Sequence, residues 1–323
     1  MLRAMVVLRA DPWAPEYGMG FQARLEEELP VADPLVETLD WSTPLSPTPA
    51  EEGPVWFVDG VRRVELRLLA EDGGRRAPGL FGSFAIGSVC CDGRATFDEH
   101  QVGRAVVAGG GVMPGRVEVS VGVQRVAFEP ATEPSLDPDR PLWKLQNLMQ
   151  EAEAAMAARV SARAGRLVVV DGPLSFFHPT DAPVVGMVKR FSRHYLEEGR
   201  EHLLALLGPG ERTPLFALGD EDRPVQRYAW YLRLVPLRVP WHDQAGIVRC
   251  EVRAGVGLDT AVGLADRVTA LLPAYAGRPT DPRAPQNLAP VGGLEAWLRH
   301  RMGDGRLLRR ALLRWMVEGD GGG

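Results

Sequence analysis

Hydrophobic and polar positions alternate along the chain in patterns that change character several times. The run Val55-Trp-Phe-Val-Asp59-Gly60 is apolar up to its Asp-Gly. It predicts a strand buried on both faces, whose end presents a carboxylate. Val64–Leu69 alternates as a half-buried strand does, and Glu71-Asp-Gly-Gly is a turn signal. Leu80–Val89 reads as a further strand, with Gly82 and Gly87 as bends, and Val117–Phe128 alternates again. No helical pattern separates these strands, so the sheet is expected to open antiparallel.

Leu142–Ala164 carries the clearest helical period. Leu145, Leu148, Met149, Ala152, Met156 and Val160 form one apolar stripe, and Gly165 stops it. Leu167-Val-Val-Val-Asp171-Gly172 then repeats the apolar-run-plus-Asp-Gly pattern, and Val184–Val188 is a short strand leading to Lys189. Helices are predicted over Glu197–Leu207, Leu258–Leu272 and Leu294–Met316, the last broken at Gly303-Asp-Gly305. Strands are predicted over Arg227–Val235 and Gly246–Ala254. Upstream, Phe21–Leu29 reads as a short amphipathic helix. Asp40–Pro54 is a proline-rich linker or wrapped arm packed on the surface. Glu129–Pro141 and Arg278–Pro290 are proline-rich loops, and there is no internal repeat. The expectation is an α/β protein in three parts: an acidic arm over 1–53, a main domain over 54–295, and a basic helix with a glycine tail over 296–323.

Composition narrows the function. With 323 residues, 45% hydrophobic and 24% charged, the chain can bury a substantial core. A net charge of −5 excludes a basic field over the whole protein, so any phosphate ligand must be met locally. Cys90, Cys91 and Cys250 give neither a disulfide framework nor zinc spacing. No signal-peptide pattern is present and no apolar run approaches the roughly 18 residues of a membrane span, so a soluble, cytoplasmic protein is expected. Lysine occurs only at Lys144 and Lys189, in a chain that otherwise uses arginine. A retained lysine suggests that a compact ammonium is wanted.

Candidate chemistry follows from the two Asp-Gly strand ends and the helix between them. Asp59 and Asp171 at the ends of neighbouring strands, with one glutamate from a packed helix, can converge on a hard divalent cation, Mg²⁺ or Mn²⁺. The helical neighbours of Glu153 are Leu145, Met149, Met156 and Val160. Glu153 therefore sits in the buried stripe, where a carboxylate is costly unless paired or bound to metal. Glu151 shares a face with Lys144 and Asn147 and is the alternative ligand. Lys189 could hold a phosphate or tune an attacking water; otherwise it is a surface lysine. Tyr231 could stack on a nucleotide, although core packing is the commoner fate of a strand tyrosine. Gly109-Gly-Gly111 reads as a loop, and His178, His194, His242 and His300 have no partner at metal spacing. Arg299, Arg301, Arg306, Arg309, Arg310 and Arg314 make the C-terminal helix basic, against an acidic first fifty residues. That suits a nucleic-acid path or an acidic partner.

Taken in order, FVDGVRRVELR, LQNLMQEAEAAMA, LVVVDGPL, VGMVKR, YAWYLRL with IVRCEV, and APQNLAPVGGLEAWLRHRMGD resemble the NurA nuclease family, from about residue 54 to about 305. The resemblance implies an RNase H-like mixed sheet (antiparallel first strands, then parallel) flanked by helices. It also implies a Mn²⁺-dependent 5′–3′ deoxyribonuclease, acting as a homodimer with the hexameric ATPase HerA in processing DNA ends. On that pattern the site comprises Asp59, Glu153 or Glu151, Asp171 and Tyr231. The family's C-terminal motif histidine is glycine here; Gln286, Asn287 or His300 are the candidates for its role. The alternative expectation is a non-catalytic RNase H-like adaptor that binds DNA or the ATPase ring.

Overall fold

The computed structural model describes residues 7–10, 31–47, 53–163, 166–174, 182–189, 195–196, 199–219, 225–236, 244–277 and 287–320. The elements are β1 (Val7–Ala10), β2 (Val31–Asp33), β3 (Val55–Asp72), β4 (Arg75–Asp92), β5 (Arg94–Ala108), β6 (Val117–Val121), β7 (Gln124–Thr132), α1 (Arg140–Ser161), β8 (Leu167–Asp171), β9 (Val184–Val188), α2 (His202–Leu206), β10 (Phe216–Leu218), β11 (Arg227–Arg233), β12 (Ile247–Arg253), α3 (Leu258–Leu271), α4 (Ala289–Arg301) and α5 (Gly305–Asp320). The strands form one large mixed sheet in the order β2-β10-β11-β12-β9-β8-β3-β4-β5-β7-β6, with β1 paired to β3.

β3, β4 and β5 are a long antiparallel meander. α1 then crosses one face and returns the chain as β8, parallel to β3, with β9 parallel to β8. Parallel pairing goes no further in that direction. β12, β11 and β10 are each antiparallel to their neighbours, where parallel strands were expected. Consecutive strands β11 and β12 pair directly with each other, and antiparallel neighbours need no crossover helix between them.

Both faces of the central strands are covered, which is why those strands read as continuous apolar runs. Phe57, Val169, Met187, Trp230 and Cys250 face α3 and α4. Val58, Val168, Val170 and Val184 face α1 through Met149, Met156 and Val160. Gly82 and Gly87, expected as bends, each adjoin a register shift in the ladders of β4 and are also the points where helices approach the sheet. A Cβ at Gly82 would lie 2.3 Å from Leu145 of α1, and one at Gly87 would lie 2.9 Å from Leu298 of α4.

Several sequence expectations change. β3 does not end at Asp59-Gly60 but continues to Asp72, because β4 pairs with it along its whole length. β5 and β10 went unforeseen, β5 because its outer half is exposed and carries no apolar alternation. The single alternating stretch Val117–Phe128 is a β6–β7 hairpin turning at Gly122-Val123. The helix expected over Glu197–Leu207 is described only as α2. The predicted helix Phe21–Leu29 and most of the loop 278–290 lie outside the described residues. The described residues of the arm, 7–10 and 31–47, lie against the rest of the chain. β2 adds to the sheet edge at β10, Leu45 bridges to Arg212, and Arg212 is clamped by Glu37 and Asp266, each at 2.7 Å. The C-terminal helix divides at Gly303, where Arg63 and Arg104 donate to the carbonyls of Gly303 and Met302. α5 then seats Leu308 and Leu312 against Phe81 and Phe128, leaving Arg306, Arg310 and Arg314 outward. Among the described residues, no helix is long and apolar enough to cross a membrane.

Candidate metal centre

The β3–β8 ladder is in register from Val55↔Leu167 to Val58↔Val170 and stops there. Asp59 and Asp171 are the next residue on each strand. They point to the same face because both follow apolar residues of the same parity, Phe57 and Val169. This register is the physical content of the two matched Asp-Gly runs. Asp171 closes its strand, whereas Asp59 marks the end of its parallel partnership only.

A third carboxylate arrives from α4. Asp59 sits opposite Gly87 on β4, and Gly87 is the notch into which Leu294 and Leu298 pack. The same helix face carries Glu295, whose carboxylate is thereby lowered onto the pair. One oxygen from each of Asp59, Asp171 and Glu295 lies within 4.8 Å of the others. Asp59 and Glu295 are both buried, at 6% exposure each. Asp59 Oδ2 has no hydrogen-bond partner. Burial, followed by the charges of Asp171 and Glu295, pushes the Asp59 carboxyl well above the usual carboxylate range. Lys189 and the Gly60 N–H act in the opposite direction.

Glu153 is buried on α1, as its place in the apolar stripe requires, and Glu151 is exposed. Glu153 stands outside the tight trio but close enough that, after burial, the charges of Asp59 and Asp171 raise it well above an ordinary glutamate. Lys189 joins the site directly. Its ammonium donates to Asp171 Oδ2 at 2.5 Å and to Asn287 Oδ1 at 3.0 Å.

Tyr231 is not brought to the carboxylates. It lies on β11, two strands beyond β9 and on the opposite face from Asp171. There it stacks on Phe216 and accepts the Tyr195 N–H at 3.1 Å within a core of Trp41, Leu203 and Leu204. Of the candidates for the missing histidine, Asn287 reaches Lys189. His300 is exposed, and Gln286 lies outside the described residues. Sequence reasoning missed Glu295, although the signal that picked out Glu153 applies to it. Its helical neighbours at −4 and +3, Val291 and Leu298, are both in the core.

The donor set suits a divalent cation. The converging groups are carboxylate oxygens, which select hard ions. Among the side chains acting on Asp59, three carboxylates face a single ammonium once Asp59 itself is counted. A buried carboxylate oxygen without a partner is the kind of group that a cation satisfies. Comparison with known proteins adds no relative: no protein-family model matches the chain, and no curated protein matches it.

Proposed function

We propose that this protein is a metal-dependent deoxyribonuclease that hydrolyses phosphodiester bonds at DNA ends, with Mn²⁺ or Mg²⁺ held by Asp59, Asp171 and Glu295 and with Glu153 close by. The observation that carries the reading is the buried, unpartnered Asp59 Oδ2 inside a trio of converging carboxylates. The strand order β5-β4-β3-β8-β9 supports an RNase H-like sheet, with an antiparallel meander first and β8 and β9 parallel to β3. Asp59 and Asp171 stand side by side where the parallel β3–β8 ladder stops, on the first and fourth strands of that set.

A bound divalent cation would supply Lewis-acid charge and a more acidic water at neutral pH. The chain's own groups do the rest. Asp171 and Asp59 fix the position of the site on rigid strands. α4 closes it from one face, and the buried stripe of α1 excludes water from the other. Lys189, anchored on Asp171, presents a compact positive charge to a phosphate oxygen.

The net charge of −5 gives the chain little general hold on DNA at physiological salt. In this reading a homodimer is fed by a HerA-type ring ATPase, which raises the local DNA concentration at the site. The outward arginines of α5 and the acidic arm are the contact surfaces in that reading. Digestion of end-labelled DNA with Mn²⁺ and with EDTA tests the activity. Cleavage from the 5′ end that needs the metal, and that rises on long duplex with the ATPase and ATP, is expected. DNA left intact with Mn²⁺ at every concentration would leave the adaptor reading in its place.

A further inference from the structure

Lys189 is held by two acceptors of different kinds. Asp171 Oδ2 takes one N–H at 2.5 Å and Asn287 Oδ1 takes another at 3.0 Å. Because an ammonium can only donate, the amide atom facing it must be the oxygen, so the orientation of Asn287 is determined. Asn287 is 2% exposed and itself firmly placed. Its main-chain carbonyl accepts the Gly277 N–H at 2.5 Å, the neighbouring Leu288 bridges to Ala276, and its Nδ2 lies over the first turn of α4 at Gly292. A tetrahedral ammonium with two N–H groups fixed has the direction of its third fixed as well. Lys189 stands at the rim, with a fifth of its side chain exposed.

We propose that Asn287 is a positioning residue for Lys189: it holds the ammonium against Asp171 and aims its remaining N–H at the mouth of the carboxylate cluster, where a phosphate oxygen of the substrate would lie. The aim of that N–H at a phosphate rests on the nuclease reading of the site; the hold on the lysine does not. A second consequence follows from the same geometry. While Asn287 keeps the ammonium on Asp171, the lysine competes with a divalent cation for that carboxylate, because two positive charges cannot share one oxygen at short range without mutual repulsion. Asn287 therefore acts on both the metal and the phosphate, and it acts only through Lys189. The arginine that serves elsewhere in this chain could not replace the lysine here, since a planar guanidinium cannot direct three N–H groups to three separate corners.

A double-mutant cycle on the full-length chain separates this role from simple packing. The variants are Asn287→Leu, which keeps the branching of the side chain and removes the acceptor, Asn287→Ala as its smaller counterpart, Lys189→Met, and the combinations. Mn²⁺ affinity, read by the electron paramagnetic resonance signal of free Mn²⁺, needs no catalysis. Asn287→Leu and Asn287→Ala are expected to tighten Mn²⁺ at least about threefold in the Lys189 background, and to change nothing in the Lys189→Met background. On DNA with saturating Mn²⁺, kcat is expected to fall about tenfold to a hundredfold with KM little changed, again only while Lys189 is present. Equal effects in both backgrounds, or no change in Mn²⁺ affinity in either, would overturn the proposal. A parent chain that binds Mn²⁺ but cleaves no DNA would remove the nuclease reading, while the Mn²⁺ cycle would still decide the role of Asn287.

Discussion

Replacing Asp59 with asparagine should make the metal-free protein more stable, and should do so most at high pH. The Asp59 carboxyl is buried, is faced by Asp171 and Glu295, and leaves Oδ2 without a hydrogen bond. Its folded value is raised well above the 3.8 of a free aspartate. An acid raised in this way binds more protons folded than unfolded once the pH exceeds the unfolded value. Stability therefore falls as pH rises from about 3.8 through the raised value, and the loss is complete above it. Asparagine removes the charge and can donate to the neighbouring carboxylates. A buried polar atom left unsatisfied costs roughly 1–3 kcal/mol, and charge adds to that. Unfolding entropy of about 2.1 cal/mol/K per residue over 323 residues gives roughly 0.7 kcal/mol per degree, so Asp59→Asn should raise Tm by about 1.5–4 °C in EDTA at pH 8. At pH 4 the gain should shrink towards zero. Divalent cation should reverse the order: a Mn²⁺ concentration a hundredfold over Kd stabilises the parent by about 2.7 kcal/mol, close to 4 °C, and should do little for the variant. Calorimetry at the two pH values, in EDTA and in Mn²⁺, measures all four numbers. An Asp59→Asn protein that melts below the parent in EDTA at pH 8, or that gains as much from Mn²⁺ as the parent does, would refute the reasoning.

Gly87→Val should push α4 off the sheet, since even a Cβ there meets Leu298 at 2.9 Å and the Glu99 carbonyl at 3.0 Å; a loss of about 1–3 kcal/mol in urea unfolding should accompany a Mn²⁺ affinity at least about tenfold weaker, as Glu295 withdraws. Glu153→Gln should impair cleavage far more than Glu151→Gln, because only Glu153 is buried against the two aspartates; equal rates for the two variants in a Mn²⁺ assay would place the helical glutamate outside the reaction. Arg212→Met should cost about 3–5 kcal/mol, since it leaves Glu37 and Asp266 without their shared guanidinium, and urea unfolding of the two proteins measures the loss. Lys189→Arg should lower kcat although the charge is kept, and cleavage at the parental rate would show that the compact ammonium is not required.

What the sequence by itself determined is everything that local pattern carries. The apolar runs ending in Asp59 and Asp171, the buried stripe that holds Glu153, the strand that delivers Lys189 and the main helices can all be read from periods of two and 3.6. Each depends on which side of one element faces the core, and neighbours along the chain express that. The tertiary structure decided the rest. It alone shows that Asp59 and Asp171 stand at the same level, because a ladder between residues more than a hundred positions apart must end at one register rather than another. It alone brings Glu295 to them, through a glycine on β4 that lets α4 come close. It also turned β12, β11 and β10 antiparallel and buried Tyr231 among Trp41 and Phe216, away from the carboxylates. A side chain's address in space depends on strand order and helix seating. Those are set by the packing of distant segments against one another, which no window of neighbouring residues contains.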